Sequence, residues 1–349
     1  MKRVALTLAL MLTTALTFAQ DTPAPATTFG GSADMYYKYD FADLAGNGKT
    51  SFTNSHNSFE LGMVSIEASH KMGKASVFVD LGFGNRAKEF TYNDNSSSFM
   101  IKQLNFTYEI SDKFKVIAGS FGTHIGYELL DAVDNKNYSM SYAFTNGPFF
   151  NTGVKAQYTS GKVSFMAGVT NPTDFKTAIE AGSTQKTFIG QIAYVGDSGS
   201  VYFNATSGSS NPATTVNKTQ FDVVASKKIS DKFSLGFNGT YALINDDLSS
   251  SNDEKWFALI GYATYAPKSN LSLAYRLEYF DATDAAVTLA ALGGSSIVGN
   301  TLSLNYKVGN LTIIPEVRVD LSSEDVFMDS NSSPSSSNAY VLLGTTYSF

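Results

Sequence analysis

Ser198 lies in the string GDSGS (196–200), the residue order that surrounds the nucleophile of serine proteases. A serine becomes nucleophilic only when a histidine base and an orienting carboxylate are held beside it. His56, His70 and His124 are the only histidines in the chain. His70 falls in another short turn, and nothing in the sequence holds it near Ser198. The string GFGNRA (82–87) has the glycine spacing of a dinucleotide loop, but that chemistry needs a strand before it and a helix after it. KEFTYNDNSSS follows, and it reads as a loop. Zinc is not indicated, because the chain has no cysteine and no histidine pair at i, i+4. The expectation is therefore no enzyme: no catalytic residues, no cofactor and no metal.

The charged residues with the most promising placement are of another kind. The segment 122–147, GTHIGYELLDAVDNKNYSMSYAFTNG, carries Glu128, Asp131 and Asp134 among Ile125, Tyr127, Leu129, Leu130, Val133, Tyr138, Met140, Tyr142 and Phe144. It is too apolar to lie loosely in water and needs a place to be buried. Arg276 and Arg318 are the arginines whose position in the alternation described next puts them on its polar face.

That alternation runs the length of the chain. Phe29, Gly31, Ala33, Met35, Tyr37, Tyr39 and Phe41 share one face, and Ser32, Asp34, Tyr36, Lys38 and Asp40 the other. A period of two is a strand with one apolar and one polar face. The pattern recurs at 75–84, 103–110, 271–279 and 311–320. Val64 and Ile66 break phase after Phe59, Leu61 and Met63, as a β-bulge would make them do. Trp256–Ala266 is apolar on both faces. Seven short polar turns alternate with eight longer segments, which gives about 16 strands. Short turns on one rim, long loops on the other and strands of ten or so residues are the signature of a transmembrane up-and-down antiparallel β-barrel. A soluble sandwich also alternates, but not over so many long strands in strict up-and-down order. The all-β barrel is expected over 28–349, with 20–27 a short N-terminal segment.

Targeting agrees. Lys2 and Arg3, the apolar run Val4–Phe18 and the small residues Thr17 and Ala19 form a Sec-type signal peptide over 1–19. Without its two basic residues the net charge moves from −6 to −8, which argues against nucleic acid as a partner. An exported chain without cysteine is stabilised by packing or by sheet closure, not by disulfides. The outer membrane of a Gram-negative bacterium is the expected location, with outer-membrane lipid and lipopolysaccharide as surroundings. The chain ends YVLLGTTYSF: Val341, Leu343, Thr345, Tyr347 and Phe349 form one face of a last strand that must pair with the first. Tyr347 and the terminal Phe349 resemble the signal read by the barrel assembly machinery.

The strings YYKYDF, TSFTNSHNSFELGM, DLGFGNRAKEF, IKQLNFTYEISDKFKVIAGSFGTHIGYELLDAVDNKNYSMSYAFTNGPFFNTGVKAQY and NPTDFK resemble the β-barrel porins of the OmpL-like "porin-2" group of Gram-negative outer membranes. The resemblance is densest over Tyr36–Lys176. It implies an integral outer-membrane barrel and no catalytic residues. By ordinal and length, the segment 122–147 is similar to the third loop of general porins, which folds into the lumen and narrows it. Glu128, Asp131 and Asp134 would then face Arg276 and Arg318 at a pore constriction. General porins place their basic wall on earlier strands, where this chain offers little beyond Lys38. Lys102 shares the face of Leu104, so parity sends it outward.

The expected function is passive diffusion of small hydrophilic solutes and ions through a water-filled channel. Weak cation selectivity is expected from the acidic long loops. The alternative is a non-conducting barrel with an adhesion or envelope-integrity role through its loops. A homo-oligomer is compatible with either. Asp246, Asp247, Asp253 and Glu254 make an acidic sixth loop. It reads as solvated, with a divalent ion bridging to lipopolysaccharide phosphates the weaker reading.

Overall fold

The computed structural model describes residues 26–94, 100–177, 185–209, 216–246, 253–285, 289 and 291–349. The expected signal peptide (1–19) and Asp247 of the sixth loop lie outside them. The barrel strands, in chain order, are β1 (Ala26–Asp40), β2 (Ser58–Met72), β3 (Ala75–Phe83), β4 (Ile101–Ser111), β5 (Phe114–Gly122), β6 (Phe150–Ser160), β7 (Val163–Thr170) and β8 (Thr187–Gly196). They continue as β9 (Gly199–Ser209), β10 (Val216–Lys228), β11 (Phe233–Asp246), β12 (Glu254–Lys268), β13 (Leu271–Asp281), β14 (Ser296–Val308) and β15 (Leu311–Ser322). A two-stranded ribbon in the last long loop, β16 (Phe327–Met328) with β17 (Pro334–Ser335), precedes the final barrel strand, β18 (Ser337–Ser348). Each barrel strand pairs antiparallel with its neighbours and β1 pairs with β18, which closes the 16-stranded cylinder. The first strand begins at Ala26, two residues ahead of the expected start.

The alternation predicts the two faces well. Phe29, Phe59, Phe188, Phe203 and Leu343 are exposed on the outside, while Lys38, Asp80, Arg276 and Arg318 are buried inside. Apolar outside and polar inside is what a lipid-facing barrel requires, and closure leaves no unpaired edge in the hydrocarbon. The predicted phase break is a bulge at Gly62: Asp34 pairs with Met63, but Met35 pairs with Leu61.

Two sequence expectations are corrected. Lys102 points inward and is 2% exposed. The β3–β4 register slips at this residue, with Asp80 opposite Gln103 but Leu81 opposite Ile101. An extra residue on one strand flips the local parity. Further, a helix does form there, starting inside GFGNRA after Gly84 and running through KEF: α1 (Asn85–Phe90). It is a single short turn inside a loop, and its Gly84 has another purpose. At φ 118 and with the Gly62 carbonyl 2.5 Å from where a Cβ would stand, only glycine fits there.

The chain end closes the barrel seam. The Phe349 amide donates to the Gly31 carbonyl and the Gly31 amide to the Phe349 carbonyl, both at 3.0 Å. Gly31 is boxed in: a Cβ there would meet the Ser65 carbonyl of β2 at 2.3 Å and the Phe349 ring carbon Cζ at 2.6 Å. Gly31→Leu is therefore expected to destabilise closure by about 1–3 kcal/mol through overpacking. Unfolding of the detergent-solubilised barrel, followed by its heat-modifiable gel mobility, should begin at a lower temperature.

Candidate functional site

The third long loop, between β5 and β6, runs inside the barrel. It carries a 3₁₀ turn at Ala132–Asp134 and a short helix, α2 (Tyr142–Asn146), capped by the Ser141 hydroxyl, which accepts from the Phe144 amide at 3.1 Å. Its apolar side chains find apolar ground on the lumen wall. Tyr142 and Ala143 join Trp256, Ile260, Tyr262, Phe280 and Ile297 in one cluster. This is why β12 is apolar on both faces: one meets the outside and the other meets the loop. Tyr127 stacks on Tyr262 with ring centroids 4.2 Å apart. On the opposite flank Tyr138 packs with Tyr36, Tyr340 and Leu342.

The polar contacts are denser still. Glu128 and Arg276 meet as an ion pair, 2.6 Å from Oε1 to Nη1, and both are buried. The other Glu128 oxygen accepts from the Ser141 amide at 2.8 Å. Arg276 also donates to the Ser139 carbonyl at 2.6 Å and to Thr301 Oγ1 at 3.1 Å. Arg318 holds Asp320 at 2.8 Å and Glu278 at 2.9 Å, and donates to the Met140 carbonyl at 2.7 Å. Glu278 in turn accepts from the Tyr142 amide at 2.8 Å. Glu316 accepts from the amides of Tyr138 and Ser139 at 2.7 and 3.1 Å. The wall of β13–β15 thus grips the loop's backbone from Tyr138 to Tyr142.

Asp131 pairs elsewhere. Lys102 Nζ stands 2.6 Å from its Oδ1 and 2.9 Å from Asp80, and Ser65 Oγ donates to its Oδ2 at 2.7 Å. Asp134 stays exposed at the end of the 3₁₀ turn and makes no ion pair among the described residues. Of the five residues expected at a constriction, the structure joins Glu128 to Arg276 directly, ties Arg318 to the same loop through a carbonyl, and sends Asp131 to the opposite wall.

Sequence reasoning missed three contributors. Lys102 was hidden by its bulge. Arg86 of α1 lies fully buried, its guanidinium 4.9 Å from the Phe52 ring and 5.3 Å from that of Tyr138, donating to the Leu130 carbonyl at 3.1 Å. Asp34, 3.7 Å from Arg86, accepts from the Tyr138 hydroxyl at 2.5 Å. Asp174, in the fourth long loop, takes the amides of Phe149 and Phe150 at 2.7 and 2.9 Å and the Tyr92 hydroxyl at 3.0 Å, joining three loops. Burial pushes its carboxyl up to about 6, against the pull of those two amides. Burial also drives His124 down to about 4, its Nε2 lying 3.0 Å from the Ala205 carbonyl, so it stays neutral at physiological pH. His56 sits instead against the Asp40 amide, at 3.2 Å.

The loop covers the lumen unevenly: it reaches the β2–β4 wall through Asp131, and Asp80, Lys102, Asn151 and Thr170 of β3–β7 are buried as well. Inward residues of β13–β15 are sealed: Arg276, Glu278, Thr301, Ser303, Arg318 and Asp320 are all at most 1% exposed. On the other side Glu67, Gln103, Asn105, Thr107, Lys155, Gln157 and Gln191, which point inward by register, are only half-buried. A cavity of about 210 Å³ between the loop and this wall is lined by Glu67, Asp80, Lys102, Gln103, Asp131 and Asp134, among others.

Glu128→Ala leaves the buried Arg276 short of a counter-charge, a loss of about 3–5 kcal/mol. The same change removes the loop's best-anchored carboxylate, and with it the bonds to Arg276 and the Ser141 amide that hold the loop. The variant should unfold at lower temperature and, in planar bilayers, show larger and noisier current steps than the parent.

No curated protein is significantly similar to the chain. Solved structures are similar in fold. A loop L8 deletion mutant of OmpT, an outer-membrane protein of Vibrio cholerae, is 13% identical, with 94% of this chain and 100% of that chain covered at a TM-score of 0.62. The in-vitro folded trimer form of OmpT is 12% identical, with 94% and 100% covered at 0.61. An anion-selective porin from Comamonas acidovorans is 12% identical, with 93% and 100% covered at 0.63. The family model described as "Putative beta-barrel porin-2, OmpL-like" matches residues 26–349. With that match over the whole barrel, the chain belongs to this β-barrel porin family.

Proposed function

We propose that the barrel is a passive channel for small hydrophilic solutes and ions, with an off-centre aqueous path between the third loop and the wall of β3–β8. The observation that carries this reading is the asymmetry of the lumen. The wall of β13–β15 is sealed by the loop, while the wall of β3–β8, beside its buried Asp80, Lys102, Asn151 and Thr170, keeps half-buried polar side chains of both signs with neutral amides between them. Sixteen-stranded barrels are wide enough to hold such a path beside a folded loop. In this reading Arg276 and Arg318 act as anchors of the constriction, not as a charged wall facing solute.

Selectivity then falls to groups still in contact with water. Asp134 is exposed at the loop's edge and Glu67 is half-buried beside it, while Lys155 opposes them from β6. The exposed acidic residues of the long loops add a negative mouth. Together these favour cations weakly. The anion selectivity of the Comamonas porin belongs to a chain of 12% identity and does not fix the lining residues here. A homo-oligomer, with the OmpT trimer form as precedent, is the assembly to test by cross-linking in native membranes.

Planar-bilayer recording tests the reading. Stepwise currents with a modest cation preference are expected. A folded barrel that never conducts, while still binding cells or envelope components, would favour the adhesion role instead. Asp134→Asn should lower the cation-to-anion permeability ratio by less than about twofold, because exposed charge is screened within about 8–10 Å at physiological salt. Anion preference in the parent channel would overturn the assignment.

We also propose that Tyr347 and Phe349 carry the signal for the barrel assembly machinery. Phe349 is 61% exposed: its backbone pairs with Gly31 at the seam and its ring lies over that glycine with most of its surface free. Deleting it should cut outer-membrane levels in cells several-fold more than it cuts the yield of barrel refolded in detergent. Equal losses in the two assays would leave only a stabilising role.

A further inference from the structure

The outer wall is not evenly clad. Across β10–β13 one tier of outward residues reads Ala225, Phe237, Gly261, Leu277, each paired with the next. The adjacent tier, nearer the short turns, reads Lys227, Leu235, Ala263, Tyr275. The small residues lie between large ones, and together they leave a hollow of about 560 Å³ on the membrane face. Nothing lies within 4 Å of where a Gly261 side chain would start. A second hollow of about 390 Å³ lies farther from the turns, around Gly239, Phe257 and Leu259.

Depth and charge say what fits. From Ala263 to Phe257 the two hollows span six residues, about 20 Å along a strand. At a tilt of about 40° that is about 15 Å of depth, one leaflet of a hydrocarbon core about 30 Å thick. The lower hollow opens at its foot onto Lys227, whose ammonium is exposed and donates to Ser198 Oγ at 2.9 Å. Lys228, Lys232 and Lys268 stand on the same turn rim, with Asp231 engaged by Lys228 at 2.7 Å. An apolar trench of leaflet depth ending at a basic rim matches a phosphate headgroup above a hydrocarbon tail. Short turns face the periplasm in this class of barrel, so the leaflet is the phospholipid one.

We infer that this hollow is a binding site for an acyl chain of a glycerophospholipid, whose phosphate is held by Lys227. The inference rests on the chain being a membrane barrel and not on its conducting. Gly261 keeps the trench open, which makes the test direct. Barrel extracted in mild detergent is passed through native mass spectrometry, before and after addition of phosphatidylglycerol. The parent should retain a phospholipid. Gly261→Leu, which grows into open space, should lose it at least fivefold while keeping the folded gel mobility and the parent's conductance. Ala263→Phe should do the same from the neighbouring tier. Lys227→Ala should remove the preference for phosphatidylglycerol over phosphatidylethanolamine. Equal lipid retention in parent and both filled variants overturns the site, as does no retention by the parent. An unchanged headgroup preference in Lys227→Ala overturns the role of that lysine. The chain has no cysteine of its own. Efficient cross-linking of Gly261→Cys between copies in membranes would show that a second protomer occupies the face, and would also overturn the site.

Discussion

A barrel that shows hydrocarbon to the membrane must put its charge inside, and charge out of water has to be matched. That constraint organises the whole interior. Lys38 faces Asp40 at 3.9 Å, Arg86 faces Asp34, Lys102 faces Asp80 and Asp131, Arg276 faces Glu128 and Glu278, and Arg318 faces Glu278 and Asp320. The loss on removing one partner from such a pair is larger than the net worth of the pair itself. The network is therefore better understood as fixing one arrangement than as adding stability. The arrangement it fixes is the position of the third loop.

That loop is docked by two kinds of force with different tasks. Its aromatic and aliphatic residues settle on the apolar stripe of β12–β14, which removes area from water without specifying a register. Glu278, Glu316, Arg276 and Arg318 then take named backbone groups from Tyr138 to Tyr142, and only one register satisfies them all. Charged groups on the rigid strands thus read the backbone of a segment that has little regular structure of its own.

Most of the architecture was legible because strand periodicity is global. An error at one residue does not disturb the next strand, and the inward set of Asp34, Lys38, Gln103, Arg276, Glu316 and Arg318 follows from parity alone. The failures are local and share a cause. Lys102 lies beside a register slip, and parity counted from Leu104 cannot see a residue inserted between two ladders. Arg86 belongs to a loop, where no period applies, and only its two aromatic neighbours and Asp34 explain its burial. The bulge at Gly62 could be found in the sequence because Val64 and Ile66 continued the alternation out of phase. At Lys102 the strand ends too soon for that signal to appear.

Lys102 also changes what the third loop's acids can do. The sequence suggested a basic side limited to late strands, with Glu128, Asp131 and Asp134 free to set a field against it. With Lys102 of β4 and Arg86 of α1 turned inward, the early half of the barrel holds cations as well, and Asp131 is spent on Lys102 while Glu128 is spent on Arg276. A carboxylate within 2.6 Å of a buried cation contributes little field at a distance, since the pair is seen from the lumen as a dipole. The residues best placed to hold the loop are for that reason poorly placed to select ions. In the proposed channel, that leaves Asp134, the exposed one of the three loop carboxylates, to act on passing ions in place of the three the sequence suggested.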